Sequence, residues 1–219
     1  MPRHPAKYTD KLLPIFAELL KDTDNVLDPF AGVGKLALIR DLGYTGKIHL
    51  NELEPEWARQ ARPEATITTC DAEHLPYPDG YFDAICTSPT YGNRMADHHN
   101  ARDGSRRNTY RHALGRKLTP GNTGQMQWGH EYRDKHRRVW TECRRVLKPH
   151  GKLILNISDH IRRGKVVPVT EWHAGCLTLL GFRLVEQIQV QTPRLRYGAN
   201  HRTRVEYESV LVFVREEGR

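Results

Sequence analysis

From Asn25 to the C-terminus, short apolar runs rich in β-branched residues alternate with segments of helical period. The runs predict strands over 24–28, 47–51, 66–70, 83–87, 151–157, 182–190 and 206–214. Helical patterns lie between them, at about 8–21, 34–42, 55–61, 130–147 and 168–180. Strand–helix alternation of this kind implies an α/β fold, a mostly parallel sheet covered on both faces. No helical pattern separates the last two strands, so they are expected to pair as an antiparallel hairpin. A length of 219 residues suits a single domain, with residues 1–219 built on one sheet.

Residues 92–130 break the rhythm. They carry seven Arg and Lys and four His with little apolar period, and a connection this long usually serves function or is disordered. Across the chain 34 Lys and Arg outnumber 26 Asp and Glu, a net charge of +8 that favours polyanionic partners. Mean hydropathy is −0.68. No stretch approaches the roughly 18 apolar residues of a membrane span, and Met1-Pro2-Arg3-His4-Pro5 lacks the apolar run of a signal peptide. Cys70, Cys86, Cys143 and Cys176 lie far apart without a C-x-x-C pair, which points to reduced thiols and a cytoplasmic setting rather than a zinc site. His98 and His99 have no partner ligands at useful spacing, so no metal is expected.

Chemistry enters at Val26-Leu27-Asp28-Pro29-Phe30-Ala31-Gly32-Val33-Gly34-Lys35, a buried strand that turns into a helix. Glycines at such a turn let the backbone approach a ligand without a Cβ in the way. A dinucleotide fingerprint fails because position 37 is Ala, and a phosphate loop fails at Pro29 and Leu36. The remaining pattern, D-x-F-x-G-x-G, resembles the first motif of S-adenosylmethionine-dependent methyltransferases. That cofactor carries a cationic amino group and a sulfonium, which Asp28 can face. Two more acids follow at strand ends. Glu52, after Ile48-His49-Leu50-Asn51, can accept both ribose hydroxyls, and it is preferred to Glu54, which precedes Pro55 and can cap a helix. Asp71, after Thr69-Cys70, can accept from the adenine amino group, with Ala72 beside it.

Ala84-Ile85-Cys86-Thr87-Ser88-Pro89-Thr90-Tyr91-Gly92 follows the fourth predicted strand. It is similar to the S/D/N-P-P-Y/F motif of amino-methyltransferases that modify adenine N6, cytosine N4 or other planar amines. An exocyclic amine is a poor nucleophile because its lone pair is delocalised into the ring. Acceptors aimed at its protons favour a tetrahedral nitrogen and stabilise the charge that develops. Ser88 Oγ and the Pro89 carbonyl can supply them, while Tyr91 can stack on an extruded base. Thr90 stands where the motif most often has a second proline. In enzymes of this type serine at the first position is associated with cytosine N4 and aspartate with adenine N6, so Ser88 favours cytosine N4.

The N-terminal stretch His4-Pro5-Ala6-Lys7-Tyr8-Thr9-Asp10-Lys11-Leu12 resembles the H-P-x-x-x-x-x-x-L segment beside the cofactor methionine of DNA amino-methyltransferases, and its position gives the gamma order of motifs. The resemblance implies a Rossmann-like class I methyltransferase with a seven-stranded sheet and S-adenosyl-L-methionine as cofactor. It implies a cofactor site of Pro5, Tyr8, Asp28, Pro29, Phe30, Gly32, Gly34, Glu52, Asp71, Ala72 and Ser88, and a catalytic group of Ser88, Pro89, Thr90 and Tyr91.

DNA is the expected partner. Asn93 and Arg94 leave the catalytic motif directly, while Arg102, Arg106, Arg107, Arg111, Arg116 and Lys117 can neutralise phosphates. Tyr110 and Trp128 offer stacking faces. A second basic stretch, Arg194 to Arg204, includes Arg196 and Arg202 and falls in the last hairpin turn. An RNA base methyltransferase would use the same pocket with different basic segments. A non-catalytic DNA-binding relative is the reading that Thr90 suggests, and a protein glutamine methyltransferase would more usually carry Asn at position 88.

Overall fold

The fold is seen in a computed structural model that describes residues 4, 8–92, 109–162, 164–192 and 205–218. Seven strands form one sheet in the order β3-β2-β1-β4-β5-β9-β8. They are β1 (Asn25–Asp28), β2 (Lys47–Asn51), β3 (Thr66–Thr68), β4 (Phe82–Thr87), β5 (Leu147–Ile157), β8 (Phe182–Gln191) and β9 (Tyr207–Arg215). The first five run parallel, with Val26 beside both Ile48 and Ala84. Strand β9 then enters antiparallel to β5, Ile154 opposite Val212, and pairs antiparallel with β8. The expected parallel sheet with its closing hairpin is therefore present.

Alternation along the central strands divides the core in two. Val26, Ala84, Cys86, Ile154, Val210 and Val212 pack on one face with Leu12, Phe16 and Leu20 of α1 (Leu12–Leu20). Leu27, Ile85, Leu153, Leu155, Leu211 and Phe213 pack on the other with α4 (His130–Val146) and α5 (Val169–Leu179). Helix α4 is mostly polar, yet it buries Tyr132, Lys135, His136, Val139, Trp140, Cys143 and Val146, a stripe of helical period.

Four local expectations are corrected. Residues Lys35–Leu42 form a 3-10 helix bounded by left-handed Gly34 and Gly43. Its rise of about 2.0 Å per residue, against about 1.5 Å for an α-helix, covers more of the sheet with few residues. The segment after Gly92 is not wholly without pattern: α3 (Tyr110–Leu114), capped by the Thr109 side chain, and a 3-10 turn at Thr123–Gln125 occupy it. A small hairpin, β6 (His160–Arg162) with β7 (Lys165–Val167), follows β5, where the runs were too short to register as strands. Helix α2 (Pro55–Ala58) is shorter than the pattern over 55–61.

Strand order reverses at β1, whose neighbours are β2 and β4. Loops leaving adjacent strands at such a switch point diverge and open a crevice at the C-terminal edge. The glycine turn leaves β1 there, and Ser88–Tyr91 leaves β4 beside it.

Candidate functional site

One cavity of about 440 Å³ occupies that crevice. Tyr8, Asp28, Pro29, Phe30, Gly32, Glu52, Asp71, Ala72 and all four of Ser88, Pro89, Thr90 and Tyr91 line it. Loops 60 residues apart in the chain thus meet around a single volume. Pro5, Asn93, Arg94, Arg102, Arg106, Arg107, Arg196 and Arg202 lie outside the described residues.

The glycine turn shows two different uses of glycine. Gly32 has φ +56°, and a Cβ there would come within 3.2 Å of the His4 ring, so the residue keeps this corner of the cavity open. Gly34, by contrast, does not line the cavity. At φ +75° it packs against Leu50 and Ala61, where a Cβ would approach either side chain to 2.8 Å. Its role is close packing of the turn against β2.

The carboxylates are held, not loose. Asp28 Oδ1 accepts from Thr87 Oγ1 at 2.6 Å and from the Phe30 amide at 3.0 Å. Glu52 accepts from the Gly32 and Glu54 amides at 2.8 and 2.9 Å. Burial raises both acids, each to about 7; for Glu52 the nearby Glu54 and Asp28 add to the rise. Hydrogen bonds to the ionised form oppose the shift in both cases but do not cancel it. Two acids poised to ionise when a cation arrives suit a ligand that carries positive charge. Asp71 is already engaged: the buried Lys135 ammonium lies 2.6 Å from it and 3.0 Å from Glu73. The Tyr8 hydroxyl is buried without a hydrogen-bond partner among the described residues.

Glu54 does not cap α2, although it holds the N-cap position. Fully buried, it accepts from Arg116 Nη2, the Thr119 amide and hydroxyl, and Asn122 Nδ2, all at 2.7 to 3.0 Å. This clamp draws residues 116–122 across the pocket, so that Gly121, Asn122, Thr123 and Gly124 become wall. It also corrects three expectations for nucleic-acid contact. Arg116 is spent on Glu54 and Glu56. Tyr110 is buried against Trp57 and Leu118. Trp128 packs against Tyr132 and Trp172, its ring centroid 5.3 Å from that of Tyr132. Arg111 and Lys117 remain exposed.

The Ser88–Tyr91 turn is fixed by a directional chain. The Trp140 indole can only donate, and it does so to His173 Nδ1 at 3.0 Å. The His173 proton therefore sits on Nε2 and is given to the Tyr132 hydroxyl at 3.0 Å, which in turn donates to the Thr90 carbonyl at 2.5 Å. Burial holds His173 well below its ordinary pKa, and nearby His136 adds to the effect, so the ring stays neutral. The Trp128 amide donates to the Gly92 carbonyl at 2.8 Å. Thr90 thus offers its carbonyl to the scaffold, while its hydroxyl is buried without a partner among the described residues. Ser88 Oγ and Tyr91 Oη are 3.2 Å apart, and Asn156 Nδ2 reaches them at 3.2 and 3.3 Å.

Neither Asn156 nor Glu208, which accepts from Asn156 Nδ2 at 2.9 Å, stood out in the sequence. For Asn156 the signal was faint but present, a polar side chain inside an apolar strand, whereas Glu208 stands at the polar start of β9. Lys135 and Tyr132 were hidden in the same way, inside a helix whose polar residues outnumber its apolar ones. Among the described residues no group of three or more His, Cys, Asp and Glu is placed to hold a metal ion, and no helix is long and apolar enough to cross a membrane.

Known proteins share this fold. Solved structures that share the fold include the cyclase SpnF, with TM-score 0.61 at 18% identity over 95% of this chain and 82% of that one. The N-methyltransferase NodS of Bradyrhizobium japonicum has TM-score 0.59 at 13% identity, covering 94% of each chain. At such identities the likeness is one of fold, and a cyclase among the neighbours shows that fold alone does not select a reaction. Ubiquinone/menaquinone biosynthesis C-methyltransferases are similar over part of their length. That of Cupriavidus pinatubonensis is 30% identical over 100 residues, 42% of this chain and 40% of the relative. That of Bordetella avium is 26% identical over 158 residues, 68% and 46% respectively. The chain spans less than half the length of either. Residues 82–219, more than half of the chain, match the N6_N4_Mtase model, described as DNA methylase, and the chain belongs to that family.

Proposed function

We propose that the protein methylates the exocyclic amino group of a DNA base, cytosine N4 in preference to adenine N6. The observation that carries this reading is the single cavity that joins the Ser88–Tyr91 turn to Asp28, Glu52 and the Gly32 corner. Bound S-adenosylmethionine supplies an electrophilic methyl group. Its positive charge is matched by Asp28, and its ribose by Glu52, whose oxygens retain acceptor capacity beyond the two amides they hold. The buried Tyr8 hydroxyl finds a use beside the same ligand. Asp71 reaches the adenine end already paired with Lys135, so that contact is shared with the ammonium.

At the target end Ser88 Oγ and the Pro89 carbonyl accept from the amine, and Tyr91 provides a face for the extruded ring. Such a turn works by alignment, with no covalent enzyme intermediate. Substitution of proline by threonine at position 90 is compatible with this role, because the Thr90 carbonyl is what Tyr132 holds. Contacts to the nucleic-acid backbone are assigned to the basic segments around Asn93, Arg94, Arg106, Arg107 and Arg111, and around Arg196 and Arg202.

The test is mass spectrometry of nucleosides after incubation with duplex DNA, single-stranded DNA and RNA. The expected product is N4-methylcytosine in DNA. Methylation confined to RNA, or no transfer to any nucleic acid, would remove the proposal.

A further inference from the structure

At the cavity edge of the sheet two polar residues replace what is otherwise an apolar row. On the α1 face, Ile154 stands opposite Val212, and two residues further along each strand lie Asn156, opposite Val210, and then Glu208. Asn156 is fully buried, and Glu208 is partly buried and lines the cavity. No cation pairs with Glu208 among the described residues, unlike Glu54, Glu73 or Glu142.

The orientation of Asn156 follows from its neighbour. An ionised carboxylate only accepts, so the contact at 2.9 Å requires the amide nitrogen, not the oxygen, to face Glu208. The same nitrogen then donates toward Ser88 Oγ and Tyr91 Oη. Asn156 Oδ1 is left buried without a partner among the described residues, an arrangement that costs stability. The carboxylate therefore dictates which way the polar network at the catalytic turn points.

Resting on the function proposed above, we propose that Glu208 is a catalytic residue: it accepts the proton that the target amine must lose. As the amine lone pair forms the new N–C bond, the methyl–sulfur bond breaks with its electron pair left on sulfur, and the nitrogen becomes positively charged. One N–H bond then breaks, its electrons remain on nitrogen, and the proton passes to a Glu208 oxygen, giving a carboxylic acid that returns the proton to water. Ser88 and Tyr91 have hydroxyl groups, which are poor terminal proton acceptors near neutral pH, whereas Glu208 is the carboxylate hydrogen-bonded into their network through Asn156.

Glu208→Gln separates this role from a structural one, since the amide oxygen of glutamine still accepts from Asn156 but cannot take a proton. Three quantities are compared with the wild type: single-turnover methyl transfer, cofactor affinity by calorimetry, and fluorescence of an oligonucleotide carrying 2-aminopurine at the target position, which reports base extrusion. The expected result is a transfer rate lower by about 100-fold, with cofactor affinity and extrusion unchanged, and substantial recovery in Glu208→Asp. A Glu208→Gln enzyme within about threefold of the wild type overturns the inference alone. So does parallel loss of cofactor affinity or extrusion, which would mark Glu208 as structural. A wild-type protein that binds cofactor but methylates no nucleic acid overturns the proposed function and this inference with it.

Discussion

The two ends of the cavity are built differently. At the proposed cofactor end, the carboxylates stand at strand ends: Asp28 closes β1, Glu52 follows β2 and Asp71 comes shortly after β3. Asp28 and Glu52 are held by nearby backbone or by one neighbouring strand, as Glu52 is by the Gly32 and Glu54 amides, while Asp71 reaches a helix, pairing with Lys135 of α4. At the target end, Ser88 and Tyr91 depend on Asn156 from β5 and Glu208 from β9, and their turn is pinned by a chain running through Tyr132 of α4 to His173 of α5. On the proposed function, the contrast teaches that a cofactor is met by a few charges at a switch point, whereas positioning a reactive amine draws on the whole second half of the fold.

Substitutions should respect this division. Ser88→Ala and Tyr91→Ala are expected to lower methyl transfer by about 100-fold or more while leaving cofactor affinity, measured by calorimetry, near the wild-type value. If affinity fell equally, the two ends would not be separable. Asp28→Asn should do the reverse. Loss of a charge-assisted contact of about 2 kcal/mol weakens cofactor binding roughly 30-fold, with the rate at saturating cofactor much less affected.

Proton linkage sharpens the same comparison. Asp28 and Glu52 each titrate near 7 in the folded protein, above the ordinary carboxylate range of their unfolded forms. Between about pH 4 and 7 the folded chain therefore binds more protons than the unfolded one, and these two groups contribute stability that is lost as pH rises through 7. Cofactor binding has the opposite sign, because a cation favours the ionised acids. Affinity should rise between pH 6 and 8, by up to about tenfold per unit for each coupled acid, with proton release detectable by calorimetry in buffers of different ionisation enthalpy. Asp28→Asn should flatten the profile. The smallest expected effect is Tyr132→Phe, which removes one hydroxyl between His173 and the Thr90 carbonyl. It should cost about 1 kcal/mol of stability, read as a small drop in melting temperature, and slow transfer a few-fold without touching cofactor affinity.

Much of the fold was legible because β-branched runs and helical stripes repeat at their own periods. The seven strands, the closing hairpin and helices α4 and α5 were visible in that way, within a few residues. The 3-10 winding of Lys35–Leu42 was not, since its apolar positions also fit an α-helix. On the site, Asp28, Glu52 and Ser88–Tyr91 were legible because each stands within a contiguous motif. Arg116 and Tyr110 were misread because a basic or aromatic residue in a polar stretch looks the same whether it meets a phosphate or a buried glutamate.

What the sequence by itself determined, then, is the order of strands and helices, the glycine turn, and the acids and the Ser-Pro-Thr-Tyr turn at strand ends. These are local properties, set by backbone preference and by alternation along a few residues. Tertiary structure alone decided that Glu54 closes the pocket with residues 116–122, that Lys135 shares Asp71, and that Asn156 links Glu208 to the Ser88–Tyr91 turn. Those contacts join residues 52 to 68 positions apart. Strand pairing and helix packing bring them together, and no local pattern in the chain encodes that meeting.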